Sequence, residues 1–145
     1  MIRHLAGIAE IVDDMDAAVK FYRDVLGLAV QREPDAPYAH VSIRGVLHFG
    51  IWSRAHAAEI VFKDSTATER VPLGFTVGFE VDTVDAATQS LQTAKWAIAQ
   101  APQNEPWGQR TSRFLSPAGA LCELSETPWA RQLSNDGTVD KLSPS

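Results

Sequence analysis

The chain has few of the residues that build disulfides, membrane spans or nucleic-acid surfaces. Its 145 residues include one cysteine, Cys122, which excludes an intramolecular disulfide and is typical of a small buried hydrophobe. No apolar run approaches the ~20 residues of a bilayer span. Lysine and arginine number 13 against 18 acidic residues, and the net charge of −5 leaves no basic footprint for nucleic acid. We therefore expect neither nucleic acid nor a membrane among the partners.

The amino terminus also lacks the long apolar core and small-residue cleavage site of a secretory signal. A cytoplasmic location is the expectation that follows. The apolar fraction of 45% and the charged fraction of 21% are ordinary for a globular protein. The length suits one domain that buries a working core.

What the chain does contain is an internal repeat. Residues 12–18 read Val-Asp-Asp-Met-Asp-Ala-Ala, and residues 81–87, 69 positions later, read Val-Asp-Thr-Val-Asp-Ala-Ala. Each copy follows a short apolar run and opens an amphipathic segment with helical spacing. A repeat of this size indicates two copies of one supersecondary unit. Paired units can enclose a cleft, and clefts are where small-molecule sites tend to lie.

Periodicity and turn residues predict the same order in both copies: a strand, a helix and three strands. In the first copy, Asp14 is placed to cap the helix and Gly27 to end it. Segments 38–43 and 46–52 are predicted to form a hairpin with residue 43 opposite residue 46. Because side chains alternate along a strand, that register places His40 on the face opposite His48.

In the second copy, Thr83 is the expected helix cap. A short strand is predicted near 97–100, followed by a turn-rich segment over 101–108. The final two strands are predicted at 109–115 and 120–126, joined by Pro-Ala-Gly at 117–119.

This pattern predicts an α+β fold, in which two βαβββ modules form curled mixed sheets around a cleft with the helices outside. A single domain is expected over 1–126. It comprises module one at 4–52, a connector at 53–74 and module two at 75–126. A C-terminal tail at 127–145 follows, where periodicity is lost. Long connectors of this kind are often binding loops.

Three segments carry a resemblance to a known family. They read Phe-Tyr-Arg-Asp-Val-Leu-Gly-Leu at 21–28, Phe-Glu-Val-Asp at 79–82, and Pro-Trp-Gly-Gln-Arg at 106–110 followed by Ser-Pro-Ala-Gly-Ala-Leu-Cys-Glu-Leu at 116–124. These motifs resemble those of the vicinal oxygen chelate superfamily, the group of glyoxalases, bleomycin-resistance proteins and extradiol dioxygenases. The resemblance spans 4–126 and implies the two-module fold. It leaves function open, because the superfamily hosts lyases, dioxygenases, epimerases, thiol transferases and inert drug-binding proteins.

The resemblance also implies where a metal would lie. Metal-dependent members hold one divalent ion with four side chains, commonly His, Glu or His, His, and Glu, one from each of four strands. The matching positions here are Gly7, His48, Thr76 and Glu123. Glycine has no side chain and a neutral threonine hydroxyl is a poor ligand, so no metal is the favoured expectation. If iron, manganese, nickel or zinc binds, His48 and Glu123 are its expected ligands.

Two further residues are candidates to replace the missing metal ligands. His4 lies three residues before Gly7, and Glu10 interrupts an otherwise apolar strand, where a bulge would turn it inward. His56, in the connector, is expected to be solvated. If no metal is bound, Glu123 is expected either to hydrogen-bond within the cleft or to pair with Arg110.

Aromatic and polar residues supply the candidate ligand-binding walls. Trp52 shares a strand face with His48, and Trp107 lies in the Pro-Trp-Gly turn. Flat rings suit a planar ligand, because stacking adds about 0.5–1.5 kcal/mol beyond area burial. Gln109 and Arg110 are placed to fix a polar or anionic group of that ligand.

Three functions follow from these residues and the resemblance. The favoured one is a small-molecule-binding protein of the bleomycin-resistance type, which sequesters a planar polar compound without a catalytic metal. The first alternative is a metal-dependent lyase, isomerase or extradiol dioxygenase. The second is an interaction protein whose cleft is incidental. The resemblance also implies that two copies of the chain pair as a homodimer.

Overall fold

The computed structural model describes residues 1–129. Eight strands and three helices make up this part of the chain. The strands are β1 (Ile2–Val12), β2 (Ala29–Gln31), β3 (Tyr38–Ser42), β4 (Phe49–Ser53), β5 (Gly74–Val81), β6 (Gln100–Asn104), β7 (Arg110–Leu115) and β8 (Leu121–Glu126). The helices are α1 (Met15–Lys20), α2 (Arg54–Phe62) and α3 (Val84–Thr93), with a π-helical turn at Phe21–Val25 and a 3₁₀ turn at Thr68–Arg70.

The strands form one open mixed sheet in the order β2-β3-β4-β1-β5-β8-β7-β6. Read outward from the centre, module one contributes β1, β4, β3 and β2, and module two contributes β5, β8, β7 and β6. Both inner pairs, β1 with β4 and β5 with β8, are parallel. Antiparallel pairing of β1 with β5 joins the modules. The predicted α+β fold with two copies of strand, helix and three strands is therefore confirmed.

The two repeated helices begin with different capping groups. Asp14 accepts a hydrogen bond from the backbone N–H of Ala17 at 3.0 Å, as predicted for the start of α1. Thr83 occupies the N-cap position of α3, but its side chain makes no capping hydrogen bond. The carboxylate of Glu126 on β8 accepts from the backbone N–H of Val84 instead, at 2.8 Å. The start of α3 is thus fixed by a residue distant in sequence.

Helices α1 and α3 pack on one face of the sheet. Met15 and Val19 of α1 join a buried cluster with Ile51 of β4, and Val84 and Ala87 of α3 join another with β5 and β8. Gly27 ends the π-helical turn region with a φ of 71°, the left-handed conformation that glycine adopts without strain. Each repeated helix therefore covers the outer face of its own module.

The connector helix α2 packs on the opposite face of the sheet. Ala57, Ala58 and Val61 are buried there with Ile11 of β1 and Trp52 of β4. This face also bears the cavity described below. The connector thus contributes a structural wall as well as a link between the modules.

The β3–β4 pairing differs from the predicted hairpin by one residue. Tyr38 lies opposite Trp52 and His40 opposite Gly50, because the connection is a wide loop over residues 43–48 rather than a two-residue turn. A shift of one residue reverses the face of every side chain on the strand. The prediction that His40 and His48 lie on opposite faces is therefore wrong, and their ring centroids are 5.2 Å apart.

The sixth strand also departs from the prediction. It spans Gln100–Asn104, so the first residues of the expected turn-rich segment at 101–108 are extended. Pro102 is tolerated because β6 is the outermost strand, where one edge needs no ladder hydrogen bonds. Cys122 is buried, as expected. No helix within residues 1–129 is both long and apolar enough to cross a bilayer. Of the predicted tail, residues 130–145 lie outside the described residues.

Candidate functional site

A cavity of about 620 Å³ opens on the sheet face that carries α2. Its floor is a row of residues across the four central strands. Gly7 of β1 pairs with Gly78 of β5, and Gly78 pairs with Glu123 of β8. On the other side, the backbone N–H of Ile8 donates to the carbonyl of His48, just before β4, at 3.0 Å. Two glycines therefore separate His48 from Glu123 and leave a floor of bare backbone.

A second row continues the small-residue floor. Ala9 of β1 pairs with Gly50 of β4 on one side and with Thr76 of β5 on the other. Ala9 and Thr76 line the cavity. Because no bulky side chain rises from these rows, the floor is flat and the larger residues stand at its two sides.

One wall is built around the Tyr38–His48 pair. The Tyr38 hydroxyl and His48 Nε2 share a short hydrogen bond, and their rings stack with centroids 5.8 Å apart. A Cβ at Gly50 would lie 1.8 Å from the Tyr38 hydroxyl, and one at Gly7 would lie 3.1 Å from His48 Cβ. The absence of side chains at Gly7 and Gly50 therefore makes room for this pair.

Both members of the pair are held neutral. Burial, and to a smaller extent the nearby His40, lowers the pKa of His48 to about 4. Burial, and then the negative charge of Glu123, raises the pKa of the Tyr38 phenol well above its usual range. A protonated phenol donates, so we infer that Nε2 of His48 accepts and that the imidazole proton resides on Nδ1.

The opposite wall is built around Arg113 of β7, which is paired with Glu123 in the β-ladder. The Arg113 side chain is only 2% exposed. Its Nη2 donates to Glu123 at 2.8 Å, and its Nη1 donates to Glu105 at 3.2 Å and to the Gln100 side-chain oxygen. A buried guanidinium needs such partners, because an isolated charge is costly to remove from water.

Glu105 anchors this network from the far side. Its Oε1 accepts from the Thr111 hydroxyl at 2.7 Å and from Gln103 Nε2 at 2.9 Å. The guanidinium of Arg113 also lies 5.3 Å from the ring centroid of Trp52. Arg113 therefore connects the buried network to both the aromatic wall and the carboxylate of Glu123.

Arg113 takes the place that the sequence analysis gave to Arg110. Arg110 does not line the cavity; it lies on the other face of β7 and makes a two-pronged ion pair with Asp85 of α3 at 2.7 and 2.9 Å. That guanidinium lowers the pKa of the Asp85 carboxyl. Of the two alternatives for Glu123, pairing with Arg110 is accordingly wrong, and Glu123 instead hydrogen-bonds within the cavity, to Arg113.

The aromatic residues of the rim come from both modules. Trp52 is buried and faces the cavity, while Trp107 remains 42% exposed at its edge. Trp107 Nε1 donates to Gln109 at 2.7 Å, and Gln109 Nε2 donates to the Thr127 hydroxyl. Trp129, also at the edge, is 62% exposed. The structure thus places His48, Trp52, Trp107, Gln109 and Glu123 around one cavity, and their role in ligand binding stays a prediction.

His56 is a cavity residue that the sequence reasoning missed. It was expected to be solvated, but it lies on α2 and its Nδ1 accepts from Trp52 Nε1 at 2.8 Å. The available signal was spacing, because Trp52 is the penultimate residue of β4 and His56 lies four residues later, in the first turn of α2. Because Nδ1 is engaged, a neutral His56 carries its proton on Nε2.

The residues present do not fit the four-ligand metal site of the superfamily. Gly7, His48, Thr76 and Glu123 all line the cavity, as the positional match implied, but only His48 and Glu123 carry metal-ligating groups. His48 Nε2 is bonded to Tyr38, and one oxygen of Glu123 is bonded to Arg113. Within residues 1–129, no three histidine, cysteine, aspartate or glutamate side chains are grouped to hold a metal.

The two proposed rescue ligands do not complete the set. Glu10 faces the helix side of the sheet, where it accepts a hydrogen bond from the Tyr22 hydroxyl. His4 is paired with Glu80 across the β1–β5 ladder, and its Nδ1 contacts the carbonyl of Leu5. Neither residue lines the cavity.

Several solved structures are similar to this fold. One is a glyoxalase/bleomycin resistance protein/dioxygenase superfamily member from Vibrio splendidus 12B01, with 18% identity, a TM-score of 0.59, and coverage of 83% of this chain and 96% of that one. Another is a methylmalonyl-CoA epimerase from Streptomyces coelicolor, with 17% identity, a TM-score of 0.58, and coverage of 88% and 99%. A hypothetical protein from Bacillus halodurans C-125 has 17% identity, a TM-score of 0.58, and coverage of 85% and 93%. At these identities the likeness concerns the fold alone.

Sequence comparison gives the family directly. No curated protein sequence matches the chain significantly. The profile of the glyoxalase/bleomycin resistance protein/dioxygenase superfamily matches residues 2–124, which include Gly7, His48, Thr76, Gly78 and Glu123 of the cavity. The chain therefore belongs to the glyoxalase/bleomycin resistance protein/dioxygenase superfamily.

Proposed function

We propose that the protein binds a planar, polar small molecule in its cavity and sequesters it without a catalytic metal. The observation that carries this proposal is the state of the two remaining ligand positions. His48 is bonded to Tyr38 and Glu123 to Arg113, while Gly7 and Thr76 supply no ligating group. Of the four positions that would hold an ion, Gly7 and Thr76 lie on the flat floor, while His48 and Glu123 belong to the walls on its two sides.

The cavity has the features of a small-molecule site. Its volume of about 620 Å³ lies within the range of pockets that enclose drug-sized ligands. Trp52, Trp107 and Tyr38 offer ring faces, and stacking on such faces favours a planar compound. The polar side chains of the cavity are few and are held by hydrogen bonds, so they are suited to orient a bound ligand.

A thermal-shift screen of planar aromatic antibiotics tests this binding function. A ligand at a hundredfold excess over its Kd stabilises the folded state by about 2.7 kcal/mol, which raises the Tm of a domain of this size by about 5–10 °C. Trp107→Ala should reduce the shift. Trp96→Ala is the matched control, because Trp96 lies outside the cavity and donates to the carbonyl of Leu115. Silence across a broad screen would favour an interaction protein with an incidental cleft.

Metal analysis tests the competing metal-dependent lyase, isomerase or dioxygenase. Elemental analysis of protein purified without added metal should find far less than one equivalent of iron, manganese, nickel or zinc. Titration with each ion should leave the Tm unchanged. Near-stoichiometric metal that is lost in both His48→Ala and Glu123→Gln, but retained in His4→Gln, would overturn the metal-free proposal.

Pairing of two copies and a cytoplasmic location belong to the same proposal. The proposed pairing rests on the resemblance to the superfamily, because exposed apolar residues such as Leu73 and Phe75 are common on protein surfaces. Light scattering after size exclusion measures the first, and cell fractionation measures the second.

A further inference from the structure

The charged groups of the cavity wall do not balance. Arg113 contacts two carboxylates, Glu105 and Glu123, and both pairs are largely shielded from bulk water. Among residues 1–129 no other lysine or arginine lines the cavity. Arg113 is shared between the two carboxylates, and Lys63 is connected to Glu105 through Gln103, so a surplus of negative charge remains at Glu123. In a site of low dielectric, such a surplus attracts an opposite charge strongly.

A ligand in the cavity can reach the negative charge of Glu123 but not that of Glu105. The Glu105 side chain is 2% exposed and is enclosed by Arg113, Thr111 and Gln103. Glu123 is 18% exposed, and only its Oε2 is bonded to Arg113. The other oxygen of Glu123 makes no hydrogen bond to any part of the chain that the structure describes. One carboxylate oxygen at the cavity floor is therefore free to accept.

The aromatic wall also favours a positively charged ligand. The faces of tryptophan and tyrosine rings are electron-rich and attract cations. The guanidinium of Arg113 already lies 5.3 Å from the Trp52 ring centroid, an arrangement of this type built into the wall. Trp107 and Trp129 add two more faces at the cavity edge.

We propose that the cavity selects aromatic cations, with the ring against the tryptophan wall and the positively charged nitrogen at the free oxygen of Glu123. This inference rests on the proposed small-molecule-binding function and specifies its ligand class. A neutral or anionic ring of the same shape lacks the second contact. An anion would in addition meet the surplus negative charge, because the donors of Arg113 are already engaged by the protein.

Three probes with one ring system test this selection on the unaltered full chain. They are 2-naphthylmethylammonium, 2-naphthylmethanol and 2-naphthoate, titrated separately by calorimetry at pH 7 and low salt. The ammonium should bind at least tenfold more tightly than the alcohol, and the carboxylate should bind most weakly. The margin between ammonium and alcohol should narrow as salt is added, since ions screen charges that are partly exposed.

Two variants locate the charge that makes the selection. Glu123→Gln should bring the affinity of the ammonium to within about threefold of that of the alcohol. Asp85→Asn is the matched control, because it removes a carboxylate that pairs with Arg110 outside the cavity. The control should retain the full tenfold preference.

The outcomes separate the two proposals. Equal affinity for ammonium and alcohol, or tightest binding of the carboxylate, would overturn the selection of cations and leave small-molecule binding in place. Loss of the preference in Asp85→Asn as well as in Glu123→Gln would show that overall charge rather than the cavity is responsible, and would also overturn it. If none of the three probes binds and the antibiotic screen is silent, both proposals fail.

Discussion

His48 combines deep burial with a neutral imidazole, and this gives the stability of the protein a pH dependence. Burial, followed by the nearby His40, lowers the native pKa of His48 to about 4. The unfolded chain titrates the same group near its usual value of about 6.5. Between these values the unfolded state binds a proton that the native state does not. The free energy of unfolding should therefore be fully retained above pH 6.5 and fall as the pH drops towards about 4.

The expected loss is at most about 3 kcal/mol, the equivalent of the pKa difference. Urea unfolding at a series of pH values from 7.5 to 4.5 measures it. Because carboxylates titrate in the same range, His48→Gln is compared with the unaltered protein, and only the difference in slope is assigned to His48. Parallel curves for the two proteins would contradict the assignment.

Arg113 and Arg110 offer a second comparison at the scale of the residue. Arg113→Met leaves Glu105 and Glu123 beside each other without their shared cation, and removal of one partner from a buried pair typically costs about 3–5 kcal/mol. Arg110→Met breaks an exposed pair with Asp85, where solvent screening keeps the cost small. Chemical denaturation of the two variants measures the contrast. Equal destabilisation would contradict the buried network as described.

The exchange of roles between these arginines shows what residue patterns can predict. The expected strand at 109–115 and the turn at 117–119 were close to the observed β7 and β8, and the tight turn sets the pairing of Leu115 with Leu121. Counting back from that pair places Arg113, not Arg110, opposite Glu123. The partner of Glu123 could therefore have been predicted from the register of the β7–β8 hairpin. Proximity of Arg110 to the Pro-Trp-Gly motif was the wrong criterion.

At the scale of elements, the two repeated helices should respond differently to loss of their cap residues. Asp14→Ala removes the hydrogen bond to the N–H of Ala17 and should cost about 1 kcal/mol. Thr83→Ala removes no capping hydrogen bond and should cost only a few tenths of a kcal/mol. Glu126→Ala should destabilise the protein more than Thr83→Ala, because Glu126 accepts from the N–H of Val84. The denaturant midpoints of the three variants measure these differences. A larger loss in Thr83→Ala than in Glu126→Ala would show that Thr83 carries the cap.

The elements that were predicted well are those with strong local signals. Helices α1 and α3 are predicted by periodicity and by the repeated motif, and Gly27 follows the π-helical turn that continues α1. The loop between β3 and β4 has no comparable signal. Arg44-Gly45 suggested a tight turn, whereas the wide connection moves the register by one residue and brings His40 beside His48. The register follows from the length of the loop over residues 43–48, which the Arg44-Gly45 pair does not reveal.

At the scale of the whole molecule, the β1–β5 ladder makes the cavity a property of one chain. Its floor runs from β4 through β1 and β5 to β8, all within residues 1–129. We therefore expect the affinity for a ligand such as 2-naphthylmethylammonium to be independent of protein concentration, even if two copies associate. Calorimetric titrations at two protein concentrations, on either side of any dimer dissociation constant found by light scattering, measure this. Affinity that weakens on dilution would show that a second copy completes the site.

The repeat also explains why the global prediction was more reliable than the prediction of the site. Two copies of one unit restrict the strand order, so the α+β arrangement followed from the motif spacing and from the resemblance. The chemistry of the cavity comes from side chains that differ between the two copies. Tyr38, His56 and Arg113 have no counterpart in the family motifs quoted above, and only the folded arrangement brings them to one surface.

The boundary between the modules, where β1 pairs with β5, affects how substitutions can alter the cavity. The histidine and tyrosine side belongs to the first half of the chain, and the arginine and glutamate side belongs to the second. A strip of glycine backbone separates the two sides at the floor, but above it Trp52 of the first half lies 5.3 Å from the guanidinium of Arg113 in the second half. A substitution that alters the ligand preference of one half is therefore tolerated only where it keeps the Trp52–Arg113 contact with the other half.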